Sequence, residues 1–378
     1  MQDHKKLCYL VNDMKSGAVS NLLFILLDGK EREKYQIFII NLSSEKDTAV
    51  SIFNHLQIPI ISLNATKSSL IKESVFVFRT IRQIKPDIVH THMGRANIFG
   101  GTICKLAGCH ISVCTHHTIY NGYPFLTKIG FNLFQRYIDY SIYVSKTVQK
   151  SFMPYSHSHI AGCVVYNGVN TNIIFNIIMD TKREKYESIL NIDSSNFIIA
   201  TIGRLIYPKN HIYSLEIIEQ ISKVHPSIRF LIIGDGPLRS EILNQIEEKK
   251  MTNIVRYLGF RSDIIPILKI VDIVLNPSIW EGFSITMLET MAAGKVFIGS
   301  DIPQYREAIK SGSNGYLFGL KDIKSFISII DNLIKNKMMR EKISIQARKT
   351  VSEKFNSRLM RMEYFKIYHD LFSSKYNR

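Results

Sequence analysis

Phe197-Ile198-Ile199-Ala200-Thr201-Ile202 is an apolar, mostly β-branched run that stops at Gly203-Arg204-Leu205. Branching at Cβ favours extended backbone, and a run this short reads as a buried strand, far below the roughly 18 residues that cross a bilayer. The same unit recurs on either side. Upstream, strands are predicted at Leu7 to Val11, Tyr35 to Leu42, Ile58 to Leu63, Asp87 to Thr91, Ile111 to Thr115, Tyr140 to Val144 and Cys163 to Tyr166. Downstream they are predicted at Ile228 to Ile233, Ile254 to Leu258, Ile273 to Leu275 and Val296 to Gly299. Longer segments of helical character fill the gaps, so the expectation is an α/β protein of parallel sheets with crossover helices. Ser145 reads as the N-cap of a helix over Lys146 to Ser151, its hydroxyl available to an orphan amide.

Asn167-Gly168-Val169 is a turn signal, and the stretch that follows is weakly patterned to about Asn191 before the second series of strands begins. The expected division is 1–170, 171–357, and a C-terminal helix over 358–378, with a return of that helix to the first domain left open. From Asp322 onward the pattern is helical. In parallel sheets of this kind ligands sit beyond the carboxyl ends of the strands, so two such domains are expected to share a cleft between their loop rims.

The 378 residues are 46% hydrophobic and 21% charged, a globular balance. Lys5-Lys6 precedes too short an apolar stretch for a secretory signal, and five cysteines are expected to be reduced cytosolic thiols. Cys104, Cys109 and Cys114 lie near His110, His116 and His117, but their spacing is not that of a zinc knuckle, and no metal is expected. The 48 basic against 32 acidic residues leave a formal charge of +16, which invites nucleic acid, an anionic membrane or phosphorylated ligands. No zinc finger, helix-turn-helix or RNA-binding aromatic motif accompanies that charge, so nucleic acid is not expected.

Glu281-Gly282-Phe283-Ser284-Ile285-Thr286-Met287-Leu288-Glu289 places two carboxylates with seven residues between them, with Ile285, Leu288 and Ala292 on one face of a helix expected to begin near Phe283. Free amides at such a helix start suit a phosphate. Gly203-Arg204-Leu205 with Lys209-Asn210, Gly234-Asp235-Gly236-Pro237-Leu238 and Leu258-Gly259-Phe260 precede it, and Gly312-Ser313-Asn314-Gly315 follows. Pro86-Asp87-Ile88-Val89-His90-Thr91-His92 and Thr115-His116-His117-Thr118 lie in the first half. In this order the set resembles retaining glycosyltransferase family 4, whose two Rossmann-like domains face a central cleft in the GT-B fold.

The resemblance implies roles. Arg204 and Lys209 would neutralise a nucleotide-sugar diphosphate without a metal, and the absence of any Asp-x-Asp agrees. Glu289 would accept ribose hydroxyls, Glu281 would hold sugar hydroxyls, and the amides of Gly282, Phe283 and Ser284 would approach sugar and phosphate. Gly203, Gly234, Gly236 and Phe260 complete the implied donor site. His117, favoured over His116, would reach the reaction centre. His90 and His92 share one strand face, as structural histidines or as ligand contacts. Lys15-Ser16-Gly17-Ala18 matches the family's first glycine loop, with Ser16 where a second glycine is usual, leaving Gly17 for backbone contact. Lys295 stands where family members more often carry proline or a small residue.

The implied activity is transfer of a hexose or N-acetylhexosamine from a nucleotide-diphosphate sugar, a UDP-sugar first, to a glycan or lipid-linked acceptor in cell-surface polysaccharide synthesis, with no cofactor. A nucleotide-sugar epimerase, a phosphorylase, or an inactive nucleotide-sugar-binding scaffold are the alternatives of the same fold. Leu333 to Arg378 holds 12 Lys or Arg against 4 Asp or Glu. That stretch is either a solvated helical face or a peripheral contact with an anionic inner membrane.

Overall fold

The computed structural model describes residues 5–15, 17–64, 69–157 and 160–376. The chain forms two compact units, Met1–Gly168 with Ser357–Arg378, and Val169–Asn356.

The first unit holds seven parallel strands: β1 (Lys5–Val11), β2 (Tyr35–Asn41), β3 (Ile60–Ser62), β4 (Ile88–His92), β5 (Ile111–His116), β6 (Tyr140–Tyr143) and β7 (Ala161–Val164), in the order β3-β2-β1-β4-β5-β6-β7. The second holds six: β8 (Phe197–Ile202), β9 (Ile228–Ile233), β10 (Val255–Gly259), β11 (Ile273–Asn276), β12 (Val296–Ser300) and β13 (Tyr316–Phe318), in the order β10-β9-β8-β11-β12-β13. Each sheet reverses its winding at its first strand, between β1 and β4 and between β8 and β11. Loops leaving neighbouring strands at such a point diverge to opposite faces and open a crevice at the carboxyl edge.

β8 shows why these residues make strands. All six of its residues are buried, and it is hydrogen-bonded to β9 on one side and β11 on the other. A strand covered on both faces needs a continuous apolar run without alternation. Its side chains join Phe230, Ile232, Leu275 and Ile298 in one core beneath helices His211–Val224 and Ile323–Lys335.

Four expectations change. The weakly patterned stretch after Gly168 is helical, over Thr171–Asp180 and Arg183–Leu190. β7 ends at Val164, two residues before the expected boundary, and β13 was not expected. The helix after Glu281 spans Ile285–Ala292, not Phe283 onward, because Ser284 is extended and its hydroxyl accepts the Met287 amide at 3.3 Å.

The basic stretch from Leu333 divides between the units. Helix Lys337–Lys354 belongs to the second, whereas helix Ser357–Tyr376 packs on the first, with Tyr364, Tyr368 and Phe372 buried. Among the described residues no helix is long and apolar enough to cross a membrane.

Candidate functional site

The carboxyl edge of the six-stranded sheet carries the charged part. After β8 the chain passes Gly203 and the exposed Arg204, makes a 3-10 turn over Tyr207–Lys209, and enters helix His211–Val224 through Asn210, which takes a left-handed conformation at φ 55°. After β11 it passes Asn276-Pro277-Ser278 to Glu281. The two loops are tied by an Ile279 amide bond to the Pro208 carbonyl at 2.8 Å and by Tyr207 against Trp280, with ring centroids 5.8 Å apart.

Lys209 and Glu281 meet across this junction, Nζ to Oε1 at 2.6 Å, both largely shielded from solvent. The same oxygen accepts the hydroxyls of Ser278 at 2.8 Å and Tyr305 at 3.1 Å. Burial raises the Tyr305 phenol well above its ordinary range, so it remains a neutral donor. The Ser300 hydroxyl donates to the Ser278 carbonyl and fixes the loop from beneath. Three donors thus converge on Oε1 and hold the carboxylate in one orientation, leaving Oε2 for a ligand hydroxyl.

Two glycines bring the loops after β8 and β9 together. At Gly234, φ is 142°, and a Cβ would run into the Gly203 carbonyl. At Gly236 a Cβ would lie 2.6 Å from the Leu205 carbonyl oxygen. Only glycine permits this contact of backbone on backbone. His211 is buried and pushed down to about 4 by desolvation. Its Nε2 donates to the Arg204 carbonyl at 3.1 Å, which leaves Nδ1 as an acceptor 3.2 Å from the Thr201 hydroxyl.

Glu289 sits in the second turn of helix Ile285–Ala292, where burial raises its carboxyl to about 7. Ser284 and Gly282 are buried beside the pair. Phe283 turns into the unit against Phe355 at 5.2 Å, and Phe260 stands exposed at the end of β10. Lys295 is absorbed structurally, donating to the Lys269 carbonyl at 3.0 Å, with its ammonium lowered to about 8 by burial.

The carboxyl edge of the seven-stranded sheet is built from rings. His90 on β4 is held by the Tyr368 hydroxyl at 2.6 Å and Thr115 at 2.7 Å, which makes it structural. His116, at the end of β5, stacks on Tyr143 with centroids 5.1 Å apart and packs against Phe152 at 4.0 Å. His117, one residue on, is half-buried, and its Nε2 lies 2.9 Å from Nδ1 of His92. Burial lowers His116 to about 3 and His117 to about 4, and holds His90 and His92 well below the ordinary range. Gly17 precedes helix Ala18–Leu27 in extended conformation, and Ser16 lies outside the described residues. Asn12 accepts the Ala96 amide at 2.8 Å, capping the helix that follows β4.

The thiols of Cys104 and Cys109 point at backbone carbonyls 3.6 to 3.8 Å away, as weak donors do. Sequence reasoning missed Ser278, Tyr305 and the pairing of His92 with His117. Ser278 stood next to the acidic motif. Tyr305 lies 24 residues from its partner and leaves no local pattern.

Two units of this strand order, one edged by a lysine–glutamate pair with glycine loops and the other by buried imidazoles, define a glycosyltransferase of the GT-B type. Residues 26–173 match the family model described as Glycosyltransferase Family 4, and residues 182–350 the one described as Glycosyl transferases group 1. Between them these span most of the chain, which belongs to this family of glycosyltransferases. The chain is similar to the UDP-Gal:alpha-D-GlcNAc-diphosphoundecaprenol alpha-1,3-galactosyltransferase of Escherichia coli, 27% identical over 75% of each chain. It is also similar to the O-antigen biosynthesis glycosyltransferase WclY of Escherichia coli, 23% identical over 97% of this chain and 99% of that one. Among solved structures, Anabaena Alr3699/HepE in complex with UDP-glucose superposes with a TM-score of 0.85 at 20% identity, covering 97% of this chain and all of that one.

Proposed function

We propose that the chain transfers a hexose or N-acetylhexosamine from a UDP-sugar to a glycan or lipid-linked acceptor, with retention of anomeric configuration and without a metal, at the cytoplasmic side of a membrane where surface polysaccharide is built. The observation that carries this reading is the Lys209–Glu281 pair at the switch point of the six-stranded sheet, 2.6 Å apart and fixed by Ser278 and Tyr305. A UDP-sugar is supported by the name of the galactosyltransferase relative and by the ligand of the Anabaena structure. A lipid-linked acceptor is supported by that same relative's name.

In this account Arg204 and Lys209 face the donor diphosphate, where negative charge grows as the bond from the anomeric carbon to phosphate oxygen breaks. Glu281 Oε2 accepts a sugar hydroxyl, Glu289 accepts the ribose hydroxyls, and the loop Gly282 to Ser284 approaches sugar and phosphate. The new bond from the anomeric carbon to the acceptor oxygen forms on the face the phosphate leaves, and the acceptor proton passes to the departing phosphate. No protein nucleophile is needed. Neutral His117 hydrogen-bonds the reacting sugar and adds no competing cation. Gly17 supplies backbone contact to the ligand.

The test is product analysis. Incubation with a UDP-sugar and an acceptor in excess EDTA should give a product whose anomeric proton coupling matches the donor configuration. An inverted product, or transfer abolished by EDTA and restored by a divalent ion, overturns the mechanism. Conversion of the donor with no acceptor present would point to an epimerase.

A further inference from the structure

His92 closes β4 and His117 lies one residue past β5, on strands that run side by side with His92 opposite Thr115. Alternation along these strands gathers His90, His92, Thr115 and His117 on one face. His116 turns to the other, against Tyr143 and Phe152. On the shared face each ring is steadied by the one before it. Tyr368 and Thr115 occupy both nitrogens of His90. His92 lies over His90 with centroids 4.3 Å apart, and beside Tyr9 at 5.8 Å. Its Nδ1 meets Nε2 of His117 at 2.9 Å, with the two rings inclined by 28°.

Counting protons decides what this contact can be. Burial keeps both rings neutral, so each carries a single N–H. The bond between them uses one of those two protons, and two arrangements satisfy it. If His117 donates from Nε2, the proton of His92 must sit on its own Nε2. That atom is buried and has no hydrogen-bond partner among the described residues, so the proton would be stranded among aromatic rings. If His92 donates from Nδ1 instead, its Nε2 carries only a lone pair. Nothing on His117 offsets the difference, because its ring is half-buried and its Nδ1 has no protein partner among the described residues. The choice therefore rests on His92 Nε2 alone, and a buried N–H without an acceptor is the rarer defect in folded proteins.

The second arrangement also fixes what a ligand meets. With Nε2 of His117 accepting from His92, the single proton of His117 sits on Nδ1. His117 then offers an N–H to a ligand oxygen and has no lone pair left with which to take up a proton. That agrees with a reaction in which the acceptor proton passes to the departing phosphate, since a base on this edge would compete for it.

We propose that His92 is the positioning residue for His117: its Nδ1–H donates to Nε2 of His117, which keeps the His117 proton on Nδ1 and directs that N–H to a ligand oxygen. The use of this N–H in transfer rests on the function proposed above; the tautomer does not.

The test begins with long-range proton–nitrogen correlation spectra of the full chain carrying isotope-labelled histidine, without ligand and at neutral pH. The His117 and His92 signals are identified by their loss in His117→Gln and His92→Asn. Both rings should appear as Nδ1–H tautomers, the less common form of free imidazole and hence a distinctive signature. The proton on Nε2 of either ring, or an exchanging mixture, would overturn the proposal. In His92→Asn, whose amide can donate from nearly the same place, His117 should keep its Nδ1–H signal.

Kinetics separate positioning from mere packing. His92→Leu should lower kcat about tenfold, as for one lost hydrogen bond, with the KM for donor little changed, and His92→Asn should recover most of it. Because His92 acts through His117, His92→Leu combined with His117→Ala should be no slower than His117→Ala alone. Losses that multiply would mean that His92 acts by itself, and would overturn the proposal while leaving the transferase standing. Circular dichroism and thermal unfolding check that each variant is folded; should His92→Leu not fold, the tautomer of the unaltered chain still decides. Both rings as Nδ1–H in a chain that transfers no sugar would leave the pair standing and remove the proposed function.

Discussion

After β8 and β11 the six-stranded sheet presents an ammonium and a carboxylate 2.6 Å apart; after β4 and β5 the seven-stranded sheet presents two imidazoles 2.9 Å apart. The strand orders that place them are the same, so the backbone supplies two equivalent platforms and the side chains decide what each can do. At the first edge, Ser278 and Tyr305 spend their donors on fixing a charge. At the second, burial keeps His90, His92, His116 and His117 neutral, as donors or acceptors that cannot attract a diphosphate as cations. In the function proposed above, that difference would give the anionic donor to one edge and an uncharged hydroxyl to the other.

Lys209→Ala strikes the charged edge and carries the largest expected effect. Transfer should fall about 10²–10³-fold, as when a single preorganised donor is removed from a site of developing charge. His117→Ala should lower kcat about tenfold or more with the dissociation constant for UDP unchanged. If the two variants weaken UDP binding equally, the division of labour between the edges fails.

Gly234→Ala tests the frame beneath the charged edge. A Cβ meets the Gly203 carbonyl in a conformation only glycine adopts freely, so urea unfolding should show a loss of at least about 1–3 kcal/mol. Unchanged stability would mean that the two loops do not touch.

pH separates the units again. His90, His92, His116 and His117 of the first unit each have a folded value below the ordinary 6.5, so the unfolded chain takes up protons first. Their contribution is fully present above about 6.5 and is lost as pH falls through the folded values, about 4 for His117 and about 3 for His116. In the second unit His211 acts in the same direction, but Glu289 opposes it. A folded carboxyl raised from 4.5 to about 7 makes stability decline as pH rises through that window. Hydrogen exchange on the full chain between pH 4 and 6.5 should show opening of the seven-stranded unit before the six-stranded one. The smallest effect belongs to Glu289→Gln, which should stabilise the chain modestly above pH 7 and leave it unchanged below 4.5, measured by denaturant unfolding.

The sequence disclosed the strands that are buried on both faces and hid what depends on distant partners. Phe197 to Ile202 and Ile228 to Ile233 were legible to the residue, because both faces demand apolar side chains. β13 is three residues long and takes its place only by pairing with β12. Helix Thr171–Asp180 was obscured by Ile173, Phe175 and Met179, apolar side chains on its exposed face. Lys209 and Glu281 could be named from their motifs, since glycines and charges cluster around them. Tyr305 could not, because its role exists only once the chain has folded. Nor does composition reveal that the basic C-terminal stretch is shared between two units, with its aromatic residues turned inward.

The central claim is that the Lys209–Glu281 edge holds the donor diphosphate. Calorimetric titration of UDP into the unaltered chain and into Lys209→Ala tests it most directly. The account predicts at least a tenfold weaker dissociation constant for the variant, about 1.4 kcal/mol, with thermal unfolding of the free protein little changed. Equal affinities in two equally folded proteins would contradict it.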